Sequence, residues 1–308
     1  MNQPALLELL TGLRLRDYAF VTPTPATHAR VLARAGRDRA RDLAGIFGWS
    51  LPFERGSVDE EIEAAADLAD ILEEAGDGLW QSRLRVSTLH GRLFLHSAYP
   101  TEAQDAVFFG PDSYRFADLI ALELGDCAPR ARIVDIGTGA GVGAIVAAGR
   151  CPEAHVTMTD INPAALELAR VNAAFNEVEA EFLESDALTG VAEGIEVALA
   201  NPPYIIDDGE RAYRHGGDMY GGQASFDMAL AAAERLNSGG RLILYTGSAI
   251  VDGKDVLREA LAPALAERGC DLRYREIDPD VFGEELEHER YAEVDRIAVV
   301  AAIATRRG

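Results

Sequence analysis

The apolar run at residues 197–200 stops at Asn201, Pro202, Pro203 and Tyr204. Two adjacent prolines remove two backbone donors, and each biases its predecessor toward extended geometry. The outcome is a stiff tetrapeptide that offers the Asn201 side-chain oxygen and the Pro202 carbonyl as acceptors. Such a device suits a flat group with hydrogens to donate, above all an NH2 whose lone pair is delocalised. Held by both hydrogens, that nitrogen can be aimed in line at an electrophile. Tyr204 is expected to pack against the flat group. Upstream, "RIVDIGTGAGVGAIVAAG" reads as a strand, a glycine turn and a helix, with Gly137, Gly139 and Gly141 leaving room for a ligand against the backbone. Its spacing differs from the GxGxxG dinucleotide fingerprint. Asp160 ends the next apolar run, 23 residues after Gly137. A carboxylate there can accept both hydroxyl protons of a ribose. Asp186, closing the run "FLESDAL", stands where a side chain can accept from an adenine amino group. His215, in "YRHGG", is the histidine placed for handling a proton or a carboxylate; a role in loop structure is the alternative. Its flanking glycines suggest a loop hinged to close over substrate.

These residues need a scaffold that brings them to one edge. From about residue 115 the pattern alternates strand, turn and helix, with candidate strands at 132–136, 155–159, 179–184, 196–200, 241–245, 272–277 and 296–303. Helical runs are read between the first five and at about 253–268. Alternation of this kind predicts an α/β fold with a doubly wound, seven-stranded, mainly parallel sheet, its last two strands an antiparallel hairpin. In open α/β sheets ligands sit at the carboxyl ends of the strands, where the glycines, Asp160, Asp186 and the NPPY stretch would all arrive.

Residues 1 to about 78 read as helical. Arg30, Arg34, Arg37 and Arg41 recur at helical spacing, and the run at 57–78, opening on Ser57 with Glu60 three residues on, carries nine acidic residues from Asp59 to Asp77. Both charged faces are expected to be solvated or mutually paired. "SRLRVSTLHGRLFLHS" alternates on either side of His90-Gly91, the mark of a hairpin. Helices plus a hairpin predict a winged-helix-like, substrate-selecting domain over 1–98, with the second domain over 99–308.

The 308 residues include 29 basic and 51 acidic side chains, a net charge of −22, and Lys254 is the only lysine. That field repels polyphosphates, so a protein or small-molecule acceptor is expected before nucleic acid. No stretch approaches the ~20 apolar residues needed to cross a bilayer. No secretory signal is read at the start, and Cys127, Cys151 and Cys270 are expected to be ordinary thiols in a reducing cytoplasm. No metal site is read from them.

"VDIGTGAG", "TDINPAAL", "ESDAL" and "NPPY" together resemble the class I S-adenosylmethionine-dependent methyltransferases, and within them the small, NPPY-containing group of the HemK/PrmC type. That group includes glutamine methyltransferases of release factors and ribosomal proteins and methyltransferases of guanine N2 and adenine N6. The likeness spans about residues 105–308. It implies S-adenosyl-L-methionine as cofactor. Asp135, Gly137, Thr138, Gly139 and Gly141 would lie at its amino-acid end, Asp160 and Ile161 at its ribose, and Asp186 and Ala187 at adenine. Asn201, Pro202 and Tyr204 would hold the target nitrogen, with Asn201 also beside the cofactor. Tyr114, with Phe109 and Ser113, belongs to a stretch that often touches the cofactor in such proteins, with burial as ordinary packing the equal alternative. The expected reaction is methyl transfer to a planar or conjugated nitrogen. The histidine loop resembles methyltransferase-like proteins that instead cyclise the cofactor's own amino-acid chain, giving azetidine-2-carboxylate and methylthioadenosine, which is the alternative reading.

Overall fold

The computed structural model describes residues 1–125, 127–207 and 214–308. The chain opens with α1 (Gln3–Leu15), α2 (Pro25–Leu32), α3 (Leu43–Phe47) and α4 (Glu60–Leu68). Two hairpins follow: β1 (Leu72–Gly76) with β2 (Leu79–Ser82), and β3 (Leu84–Leu89) with β4 (Arg92–Ser97). The rest is α5 (Pro111–Glu123), β5 (Arg132–Ile136), α6 (Val142–Arg150), β6 (His155–Asp160), α7 (Pro163–Phe175), β7 (Ala180–Glu184), β8 (Ile195–Ala200), α8 (Gln223–Arg235), β9 (Leu236–Val251), β10 (Lys254–Asp255), α9 (Val256–Glu267), β11 (Cys270–Asp278) and β12 (Arg296–Arg306).

The main sheet runs β11-β12-β9-β8-β5-β6-β7, with β10 paired to β9. β7, β6, β5, β8 and β9 are parallel; β12 is antiparallel to both β9 and β11. The α/β, mainly parallel architecture and the closing hairpin therefore stand as read. Alternate residues along the strands feed opposite faces. Ile133, Val197, Leu199 and Ile243 meet α5, α6 and α7, whereas Val134, Ala198, Leu242 and Leu244 meet α8 and α9. Chain order reverses at β5, between β6 and β8, which opens a crevice at their carboxyl ends.

The N-terminal elements share the α5–α7 core. Leu6, Leu9, Leu10 and Leu13 form the buried stripe of α1, in the same cluster as Ile62 and Ala66 of α4. Asn172 of α7, fully buried, accepts from the Leu95 N–H of β4 at 2.8 Å and donates to the Leu95 carbonyl at 2.9 Å and to the Ala140 carbonyl at 2.9 Å. Asn176 donates to the Leu93 carbonyl at 3.1 Å. The free edge of β4 is thus completed by side-chain amides of a helix, and the same helix supports the glycine turn.

Several local expectations change. The helix read over 57–78 is capped by Asp59, not Ser57, and ends at Leu68. Asp70 takes a left-handed φ of 56°, and Asp77-Gly78, at φ 53° and 74°, make the turn of the β1–β2 hairpin. Asp-Gly favours such a primed turn, a local signal that outweighed the acidic helical run. Arg34, Arg37 and Arg41 lie beyond α2, which ends at Leu32, so no continuous basic helical face forms. The α4 acids pair instead with Arg16, at 2.6 Å from Asp59, and Arg55, at 2.6 Å from Asp67. No helix forms between β7 and β8, where the chain crosses in turns. β9 has 16 residues rather than the five read, because it has β8 on one side and β12 on the other. Cys127 and Cys151 are joined in a disulfide, not free; Cys270 is free and buried. No helix among the described residues is long and apolar enough to cross a membrane, and no metal-ligating cluster occurs among them.

Candidate active site

The glycine turn is shaped around Asp135, the fourth residue of β5. Its Oδ2 accepts from the Thr138 hydroxyl at 2.6 Å and from the Ala144 N–H, in the first turn of α6, at 2.9 Å. A Cβ at position 143 would stand 2.6 Å from Asp135 Oδ1, so Gly143 is what lets the carboxylate lie over the helix start. Burial pushes the Asp135 carboxyl up to about 7, against the pull of those two hydrogen bonds; the neighbouring Asp160 charge adds to the rise.

Asp160 ends β6 and faces the same turn. Its Oδ2 accepts from the Gly139 N–H at 2.8 Å, and its Oδ1 from the Asn162 N–H at 2.9 Å. Burial raises this carboxyl too, while the N–H donors hold it down. Asn162 caps α7, accepting from the Ala164 N–H, and donates to the Asp105 carbonyl at 2.8 Å. That bond ties the second strand's end to the segment leading into α5.

One cleft collects these groups. It is lined by Asp135, Gly137, Thr138, Gly139, Asp160, Ile161, Asp186, Ala187, Asn201 and Pro202 from the sequence-derived set. Ser113 lines it as well. Ile161 is 61% exposed and offers an apolar surface at the rim. The Asn201 amide has no hydrogen-bond partner among the described residues, which leaves it available to a ligand. Three carboxylates, bare glycine backbone and an apolar rim fit a cationic molecule carrying hydroxyls and a flat ring.

Residues 117–263 match the family model of the methyltransferase small domain. The Deinococcus radiodurans release factor glutamine methyltransferase is 34% identical over 165 residues, covering 50% of this chain and 55% of that protein. Ribosomal RNA small subunit methyltransferase C of Haemophilus influenzae is 32% identical over 119 residues, covering 39% of this chain and 33% of that protein. The chain thus spans about half, or less, of the curated relatives it matches. The solved structure of Trm5b from Pyrococcus abyssi shares the fold, with a TM-score of 0.53 at 14% identity over 80% of this chain and 68% of that one. These likenesses agree with the family that the four motifs resemble.

Some expected site residues lie elsewhere. Gly141 caps α6 at φ 83° and faces Ile145 and Ala169. It serves helix packing, and Gly143 takes the place at the cleft. Tyr204 turns away: its ring lies against Gly247 and its hydroxyl donates to Asp112 at 2.7 Å. His215 accepts from the Asp207 N–H at 3.2 Å and does not line the cleft. Gly216 and Gly221 are glycines because a Cβ would stand 2.8 Å from the Pro203 carbonyl and 2.6 Å from the Tyr204 carbonyl, so they brace the NPPY backbone instead of serving as hinges. The expected lid includes residues 208–213, which lie outside the described residues. Tyr114 accepts from the Thr22 N–H at 3.0 Å, linking α5 to the N-terminal segment, and Phe109 is buried against His96. Phe108, Phe116, Ser185 and Met228, none of them singled out from the sequence, line the cleft instead. Phe108 lies one residue from the chosen Phe109, and only packing distinguishes the two rings.

Proposed function

We propose that this chain is an S-adenosylmethionine-dependent N-methyltransferase whose acceptor is the side-chain amide of a protein glutamine. The observation that carries this reading is the cleft itself, where the unpaired Asn201 amide and Pro202 stand beside the Asp135–Asp160 glycine turn. Asp160 would hold the ribose hydroxyls, Asp186 and Ala187 would border adenine, and Asp135 with Gly137 to Gly139 would face the positively charged amino-acid end. When bound, the cofactor supplies an electrophilic methyl group on a positively charged sulfur. Asn201 and Pro202 accept the two hydrogens of the acceptor NH2 and so orient its lone pair. Neutralisation of the sulfur in the transition state calls for no oxyanion hole. The product proton can leave to water, which agrees with a cleft in which His215 takes no part.

A glutamine acceptor is supported by the name of the Deinococcus relative. A nucleic-acid nitrogen is the second reading, favoured by the ribosomal RNA relative and opposed by the charge of −22. The ring-closing alternative finds no support among the relatives. We further propose that residues 1–98 select the acceptor and that 99–308 hold the cofactor.

The test is mass spectrometry of the protein incubated with S-adenosylmethionine, first alone and then with purified bacterial release factor or ribosomal RNA. S-adenosylhomocysteine together with a monomethylated glutamine supports the reading; a methylated base moves the acceptor to RNA; methylthioadenosine from cofactor alone overturns it. Asp160→Ala should weaken cofactor binding at least 100-fold by calorimetry, since it strands both the ribose hydroxyls and the Gly139 N–H. Asn201→Ala should leave that affinity within about threefold and lower kcat at least 100-fold.

A further inference from the structure

Asp112, the second residue of α5, is only 8% exposed, and each of its oxygens receives a tyrosine hydroxyl. Tyr204 donates to Oδ2 at 2.7 Å and Tyr245, fully buried on β9, donates to Oδ1 at 2.7 Å. Arg115 lies 3.6 Å from the same Oδ1 and donates to Asp278 of β11 at 2.9 Å. Burial, reinforced by the Asp112 charge, holds both tyrosines well above their ordinary value, so they remain neutral donors. The Tyr204 ring has nowhere else to go. A Cβ at Gly247 would stand 2.1 Å from its Cδ2, and Phe282 meets it edge-on at 5.8 Å.

The network joins two lips of one cleft. Ser113, next to Asp112, lines the cofactor side; Asn201, three residues before Tyr204, lines the acceptor side. We propose that Asp112 is a positioning residue that holds Tyr204 and thereby fixes Asn201 against the cofactor side. Tyr204 then acts from behind the site and never stacks on the acceptor. The proposal rests on the methyltransferase reading above, in which Asn201 grips the target nitrogen.

The comparison is between Tyr204→Phe, Asp112→Asn and a control, Tyr274→Phe. Tyr274 also donates from a half-buried phenol to a carboxylate, Asp255 at 3.0 Å, but away from the cleft. Thermal melts report the stability lost in each. Calorimetry with S-adenosylmethionine is expected to give affinities within about threefold of the parent for all three. With release factor as acceptor, kcat should fall at least tenfold in Tyr204→Phe and Asp112→Asn, with the cofactor KM unchanged, and stay within about twofold in Tyr274→Phe. The side-chain NH2 resonances of Asn201, assigned by their loss in Asn201→Ala, should shift or broaden in the first two variants and not in the control. Unchanged Asn201 resonances in Tyr204→Phe would overturn the proposal. If release factor is not methylated, the acceptor reading fails and the resonances alone decide the role of Asp112. If Asp112→Asn does not fold, Tyr204→Phe, which removes a single hydroxyl, carries the test.

Discussion

Asp135 shows how one buried carboxylate ties stability to ligand charge. Burial raises it from 3.8 to about 7, so between those values the folded protein keeps a proton that the unfolded chain releases. The stabilisation from that proton is present at low pH and is lost as pH rises toward 7. Asp135→Asn removes the ionisation while its side-chain oxygen can still accept from Thr138 and Ala144. The ligand-free variant should match the parent below about pH 4, gain on it as pH rises, and exceed it above pH 7 by roughly 4 kcal/mol, measured by urea unfolding across that range. Cofactor affinity in the parent should rise over the same interval, because a cation binds the ionised form better, and the variant should lose that dependence. A flat pH profile for both quantities would remove Asp135 from the cationic end of the site. At this scale the place of Gly137, Gly139, Asp135, Thr138, Asp160, Asp186 and Asn201 along one cleft was legible, because strand ends and turns announce themselves in a few adjacent residues. Tyr204 was misassigned, although its spacing held a clue: in an extended segment, residues three apart point to opposite sides. With Asn201 in the cleft, Tyr204 belongs in the core.

Among the elements, α7 has the widest reach. Its Asn172 serves β4 and the glycine turn at once. Asn172→Ala leaves the Leu95 N–H and two buried carbonyls without partners. It should lower stability by about 2–4 kcal/mol in urea unfolding. Cofactor affinity should fall as well, since Ala140 belongs to the turn. A loss below about 0.5 kcal/mol would mean that water replaces the amide, and that the N-terminal hairpin is held by apolar contacts alone. The sequence showed α7 through its Asn162 cap and Pro163. It did not show that an asparagine in the middle of that helix completes a strand of another hairpin, because the partners are 77 positions apart.

Across the whole molecule, charge and topology set the terms. A surface of net charge −22 should neither attract a polyanion nor release many counterions on meeting a protein. The KM for a release factor acceptor should therefore change by less than about threefold between 50 and 200 mM salt, read in steady-state assays. A steep weakening with salt would point to phosphate contacts and a nucleic-acid acceptor. By itself, the sequence determined the strand–helix alternation, the parallel sheet with its closing hairpin, and the motifs that meet at one edge, because strand ends, glycine turns and helix caps are encoded by neighbouring residues. Tertiary structure alone decided which aromatic ring faces the cleft and which glycine makes room for Asp135. It also joined Cys127 to Cys151 and gave Tyr204 its partner in Asp112, 92 positions away. Those outcomes depend on which side chains arrive together once the sheet has twisted and its helices have packed, and no local pattern carries that distance.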